Sequence, residues 1–414
     1  MPDTRSARVD DPPRPGREAT EAAVPTWWLW AAAWPVTAVF VLSNAATPLY
    51  VLWQRDIGFS KGTLTVIFAC YIAGLLGSLL VSGVLSDRVG RRPVLLPALV
   101  LAMAACVIFA TASSVAALVV ARLFTGVAVG AVVSAGMAAV TDVAGPRRKR
   151  LAALLASCAM VFGAGLGPFL AGVLSETLPA PTVTVFLVEA VLLATAVLTT
   201  LRMPLGRPET PAPAARSWIR VPRVPRGSGI RLALGVAVFA PGITATSFVL
   251  SLGPSLLAGL LGTTDRVVAG AMAFVMFLAA TGVQFAVQRL RRSVILLIGA
   301  VGTTAAMAAL VAAVHTSSVP LLIVAAVFAG AGQGTGQLGG LSLLNASVPP
   351  QRLAEANAAL NVGGYVPAGV LPVASGYLSD AIGLTTGATV FGAVLATLAI
   401  AGGVVVLGAR SRIR

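Results

Sequence analysis

Only two charged side chains, Arg122 and Glu189, lie deep inside the long apolar stretches of this 414-residue sequence. An arginine held in hydrocarbon costs at least about 2.5 to 3.5 kcal/mol on insertion scales, so it must face a cavity or a partner. Each of the two stands near the same end of its stretch, and the matched depth predicts one shared buried site. A carboxyl beside a guanidinium in a low-dielectric site suits the movement of a proton in step with a bound molecule. The plainer alternatives are a fixed ion pair, or side chains that snorkel outward. Other chemistry lacks its residues. Cys70, Cys106 and Cys158 all fall inside apolar runs and the one histidine, His315, is isolated, so a disulfide framework, a zinc cluster and a haem site have no ligand set. No metal and no cofactor is expected.

These side chains need elements that can hold them in a bilayer. Apolar residues make up 57% of the chain and charged ones 10%, with a mean hydropathy of +0.92, which is the composition of an integral membrane protein. Windows of about 20 residues, enough to cross the hydrocarbon, give twelve candidate spans. They run over 27–49, 62–86, 94–113, 115–142, 151–174 and 182–203, then 230–254, 267–288, 293–314, 319–344, 353–379 and 384–408. All must be helices, because backbone groups in lipid have no water to bond. The predicted fold is therefore all-α. Residues 1–26 are polar and rich in Pro and Arg, and read as a disordered tail. The apolar run that follows is too long for a cleaved signal peptide and is kept as the first span.

The charges orient these spans. Of 29 Lys and Arg, twenty-five fall on the side that holds the first tail, three (Arg55, Lys61 and Arg266) on the other, and Arg122 within a span. The asymmetry places both termini in the cytoplasm of a cell whose plasma membrane the chain crosses. A net charge of +15 then serves orientation and contact with anionic headgroups, and nucleic acid is not an expected partner.

Residues 204–229 contain six prolines and five arginines without apolar periodicity, a cytoplasmic linker between two six-helix halves at 27–203 and 230–409, with 410–414 as a short cytoplasmic tail. A shift of 204 residues superposes the halves. Gly126 and Gly130 fall on Gly330 and Gly334, while Gly165, Pro168, Gly172, Leu174, Ser175 and Glu176 fall on Gly369, Pro372, Gly376, Leu378, Ser379 and Asp380. Parallel six-helix repeats of this kind are a transporter architecture, with the substrate site near the midplane between the halves.

The loop after the second span reads GVLSDRVGRRPVLL, from Gly83 to Leu96. Gly83 lets two helices approach, and Asp87 can cap a helix or pair with an arginine. Gly90 permits a tight turn, and Arg91 and Arg92, next to Arg88, can reach phosphates or acidic partners. In order and place this segment resembles the best-known signature of the major facilitator superfamily. The resemblance implies the twelve-helix fold of two pseudo-symmetric six-helix bundles, alternating access, and a cytoplasmic gate at this loop. Arg122 with Gly126 and Gly130 resembles the family's second motif. The run GAGLGPFLAG, with Gly163, Gly165, Gly167, Pro168 and Gly172, resembles the motif of its exporters and antiporters. That likeness favours export over import.

In the family spans one, four, seven and ten line the cavity. Here they supply Thr37, Ser43, Asn44, Ser134, Met137, Thr244, Thr246, Ser247, Phe248, Gln333 and Gln337. Such a cavity is largely neutral and suits a lipophilic or weakly polar small molecule. The resemblance implies a proton-driven antiporter of drugs or metabolites, with Arg122 and Glu189 as coupling residues and a monomer as the working unit. The sequence departs from many such antiporters in having Asn44 and no acid in span one, which weakens the case for proton coupling. The alternatives are an importer or uniporter of a small neutral nutrient and a non-transporting sensor. An intramembrane enzyme would need a cluster of polar catalytic groups, and an ATP-driven pump a nucleotide domain. Residues 334–339, GTGQLG, mimic a dinucleotide fingerprint but follow no strand, so helix packing explains them.

Overall fold

Backbone amides in hydrocarbon can be satisfied only within their own segment, and the long apolar stretches are accordingly helical throughout. The computed structural model describes residues 25–205, 218–219, 221–260, 262–349 and 352–410. The expected N-terminal tail, all but Pro25 and Thr26, lies outside these residues, as do half of the central linker and residues 411–414. The first span is α1 (Trp27–Ala45), a 3-10 turn at Thr47–Leu49 and α2 (Tyr50–Ile57). It is followed by α3 (Lys61–Val89), α4 (Arg92–Ala110), and α5 (Val115–Ala131), which runs through a π turn at Val132–Gly136 into α6 (Met137–Ala144). The helices α7 (Lys149–Thr177) and α8 (Pro181–Arg202) close the first half. The second half contains α9 (Gly229–Gly259), α10 (Arg266–Val287), α11 (Arg292–Thr316), α12 (Val319–Asn345), α13 (Leu353–Ile382) and α14 (Leu384–Gly408).

Twelve of these helical segments are long and apolar enough to cross a membrane, one for each stretch read from hydropathy. The bounds differ most in the first and seventh spans, which continue to Ile57 and Gly259. Helical hydrogen bonding outlasts the apolar run there. With an even number of spans, Trp27 and Gly408 lie on one side, hereafter the terminal side; the opposite one is the far side. Four of the six helices that begin on the far side carry polar caps: Ser60, Ser114, Asp265 and Ser318 each accept a bond from a backbone amide of the first turn, whereas α8 and α14 follow Ala180 and Gly383 and have none.

The halves repeat the same packing. In the first, α3 packs on α5, α1 on α7 and α4 on α8; in the second, the counterparts α10 and α12, α9 and α13, and α11 and α14 pack together. The repeated glycines explain why the backbones come so close. A methyl group on Gly126 would overlap the carbonyl oxygen of Tyr71, and one on Gly330 that of Met276. The two halves meet where α3 packs on α13 and α7 on α10. Gly126→Ala should therefore lower the stability of the detergent-solubilised protein by about 1–3 kcal/mol, while Gly77→Ala, where an added methyl meets nothing within 4 Å, should leave the melting temperature unchanged.

Candidate functional site

Arg122 sits two turns into α5 and is wholly buried. Its Nε donates to the Tyr50 hydroxyl, and its Nη1 donates to the Ser43 carbonyl at 2.7 Å. Ser43 is in the last turn of α1, where carbonyls lose their helical partners and the helix dipole is negative. The interruption between α1 and α2 thus supplies both acceptors, one from each side of the break. The guanidinium carbon lies 5.1 to 5.9 Å from the ring centres of Tyr50, Phe68, Tyr71 and Phe109, within the range of cation–π attraction. Nη2 is buried without a hydrogen-bond partner.

Glu189 is buried on α8, and its Oε2 has no hydrogen-bond partner. The shared site expected for Arg122 and Glu189 does not form as an ion pair: Arg122 is held by a helix end and a phenol. A run of rings connects the two instead. Phe109, beside Arg122, stacks on Phe186 at 4.7 Å, and Phe186 is one turn before Glu189. Trp53 packs against both rings, at 5.7 and 6.0 Å. Equal depth in the sequence could not reveal this wall, because depth does not report which face of a helix a side chain takes.

The residues expected to line a cavity separate into groups. Ser43 and Asn44 are buried beside Arg122, with Asn44 Nδ2 donating to Ser43 Oγ at 3.1 Å. Thr37, Ser134 and Met137 are half-buried, Ser134 within the π turn. On α9, Thr244, Thr246 and Ser247 are buried. Most of these hydroxyls bond to their own helix: Ser43 to Phe40, Ser134 to Gly130, Thr244 to Ala240 and Thr246 to Ile243. On α12, Gln333 and Gln337 are half-buried, and Gln333 Oε1 has no partner. Phe248 departs from the expectation. It is fully buried and stacks on Phe391 of α14 at 4.1 Å, so it packs within the second half and does not line a cavity.

On the terminal side, Gly90 ends α3 at φ +94°, a backbone that side chains disfavour. Gly83 is buried on the last turns of the same helix. Arg91 then reaches Asp87 at 2.5 Å, Ser86 at 2.6 Å and Asp142 at 3.0 Å. Burial alone would lower the Arg91 guanidinium, but bonds and charges from Asp87 and Asp142 hold it above its usual value. Arg92 donates to the Met203 carbonyl at 2.7 Å, and Arg88 lies over the Trp218 ring at 4.1 Å. The glycine-rich run of α7 packs in two directions. Gly163 and Gly167 abut α1, while Gly165 and Gly172 abut α10 of the other half; the Pro168 carbonyl faces Gly270.

Sequence reasoning missed Tyr50, Phe68, Tyr71, Phe109 and Asp142. The chain has only four tyrosines, and two of them, Tyr50 just past the first span as read and Tyr71 inside the second, were a usable signal for a polar partner. Asp142 stands just before the basic run 147–150 and was the nearest acid to it.

A twelve-span helical protein with paired bundles and an internal seam has the architecture of a membrane transporter. Residues 29–290 match the Major Facilitator Superfamily model, and the chain belongs to that family. It is 39% identical over 100 residues to a 3-(3-hydroxy-phenyl)propionate transporter of Escherichia coli (strain K12), covering 24% of this chain and 25% of the relative. Over 95 residues it is 30% identical to the multidrug resistance protein MdtL of Klebsiella pneumoniae (strain 342), covering 23% of this chain and 24% of the relative. The matches thus span about a quarter of these curated relatives. Among solved structures, the nucleoside transporter NupG gives a TM-score of 0.72 at 13% identity, over 91% of this chain and 99% of that one. A POT family transporter in complex with 5-aminolevulinic acid gives 0.74 at 14% identity, over 94% and 96%. At such identities these structures establish the fold. Tyr50→Phe strands a second buried N–H of Arg122 and should destabilise the protein by about 1–3 kcal/mol in thermal unfolding, whereas Tyr377→Phe, at a half-exposed ring, should not.

Proposed function

We propose that this transporter exports small amphipathic or lipophilic compounds in exchange for protons, as a monomer in the plasma membrane with both termini in the cytoplasm. The similarity to MdtL supports export. Hydroxyls turned back onto their own helices support a neutral substrate, because they leave α1, α5 and α9 few free polar groups. The bias of basic residues to the terminal side supports the orientation, and these cations meet anionic headgroups. The halves at 27–203 and 230–409 move as units about their seam.

Glu189 is the observation that carries the coupling. A carboxylate buried without a partner is costly, and this one has neither a hydrogen bond to Oε2 nor an ion pair among the described residues. It suits a carrier that changes protonation state once in each cycle, while Arg122 holds the α1–α2 break in shape. The test is reconstitution in liposomes containing a pH-sensitive dye, screened against lipophilic cations, neutral antibiotics and amino acids. Substrate should drive proton movement, and Glu189→Gln should abolish it while substrate binding persists. Flux that ignores the pH gradient, or a Glu189→Gln variant with full coupling, would reject the proposal.

Import of a small nutrient is the second reading. It draws on the similarity to the 3-(3-hydroxy-phenyl)propionate transporter and on Arg122, whose guanidinium among four rings would suit an aromatic acid better than a neutral molecule. Uptake into right-side-out rather than inverted vesicles would favour it.

A further inference from the structure

The far side carries one five-residue pattern twice. GVLSE, Gly172–Glu176, lies at the end of α7, and GYLSD, Gly376–Asp380, lies near the end of α13, 204 residues later. Each acid reaches the first turn of a helix in the opposite half. Glu176 Oε1 accepts the backbone N–H of Arg266 at 3.0 Å and pairs with its guanidinium at 3.0 Å. Asp380 accepts the backbone N–H groups of Lys61 and Gly62 at 3.0 and 2.8 Å. Arg266 opens α10 and Lys61 opens α3, so corresponding acids grip corresponding helices.

The glycine one turn earlier makes each grip possible. A methyl on Gly172 would overlap the Arg266 carbonyl, and one on Gly376 would overlap Thr65 Oγ1. Free amides and the positive end of the dipole make a helix start a strong partner for a carboxylate. Both bonds cross from one half to the other and are lost when the halves part. Two other bonds cross the seam nearby: the Arg266 guanidinium donates to the Ser175 carbonyl at 2.8 Å, and Ser255 Oγ donates to Gln54 Oε1 at 3.2 Å across a cavity of about 310 Å³ that Asp380 also lines.

We propose that Glu176 and Asp380 are paired locks that hold the far side shut, and that both must release for the transporter to open there. The inference needs neither a substrate nor a proton gradient, so its failure is distinct from failure of the export reading. The reporter is Thr47→Cys in full-length protein carrying Cys70→Ala, Cys106→Ala and Cys158→Ser. Thr47 is buried in the 3-10 turn that touches α7, α9 and α10. Labelling by a membrane-impermeant maleimide in detergent should accelerate roughly tenfold in Glu176→Gln or Asp380→Asn, each of which replaces a carboxylate that makes two charge-assisted contacts with a neutral amide, and further in the double variant. Asp380→Glu should keep labelling slow. Hydrogen exchange should rise at Lys61 and Gly62 in Asp380→Asn, and at Arg266 in Glu176→Gln. An unchanged rate in the double variant would overturn the proposal, as would a full effect from one acid and none from the other. Equal acceleration at Leu193→Cys, buried within the first half, would mean that the acids serve folding and not the gate, and would also overturn it.

Discussion

Helices already in hydrocarbon gain little by hiding apolar side chains from one another, so this bundle depends on backbones that can touch. The glycines at the α3–α5 and α10–α12 seams put helix axes close enough for dispersion and dipole contacts to accumulate. The same device recurs along α7, which presents one set of glycines to α1 of its own half and another to α10 of the other half. A single helix therefore packs within its own half and across the seam between the halves. Changes of packing along it must be felt on both sides.

Most polar groups follow the complementary constraint and find a partner inside the protein, with Glu189 Oε2, Gln333 Oε1 and Arg122 Nη2 among the exceptions. Arg122 meets that demand without a carboxylate. Its acceptors come from an interrupted helix, one carbonyl from the end of α1 and one hydroxyl from the start of α2, with rings on the remaining sides. Most hydroxyls on α1, α5 and α9 return to their own backbones. Charged pairs are confined to the ends of the spans, with Arg91, Asp87 and Asp142 on the terminal side and Glu176, Arg266 and Asp380 on the far side. Apart from Arg122 and Glu189, charge is thus kept to the two ends of the bundle, where water can reach it.

Much of this could be read from the chain alone. Hydropathy located all twelve spans, because the length of an apolar run is a one-dimensional property matched to bilayer thickness. The constant offset of 204 exposed the repeat, since related helices need small residues at related positions. Helix ends were less legible at Ile57 and Gly259, where hydrogen bonding continues past the apolar run. The candidate site was harder still. Phe248 was placed in a cavity by its span, yet its ring packs on Phe391, because a span number does not fix the rotation of a helix about its axis.

The sequence by itself determined composition, span number, the bias of charge and the internal repeat, all properties that survive when each helix is considered alone. Which groups meet was decided only in the tertiary structure. Arg122 took the end of α1 and Tyr50 in place of Glu189, Arg91 took Asp142, and the two far-side acids took amides about 90 and 319 residues away in sequence. Those choices depend on the rotation and register of neighbouring helices, which are set by the close contacts of many residues together and are written in no single segment.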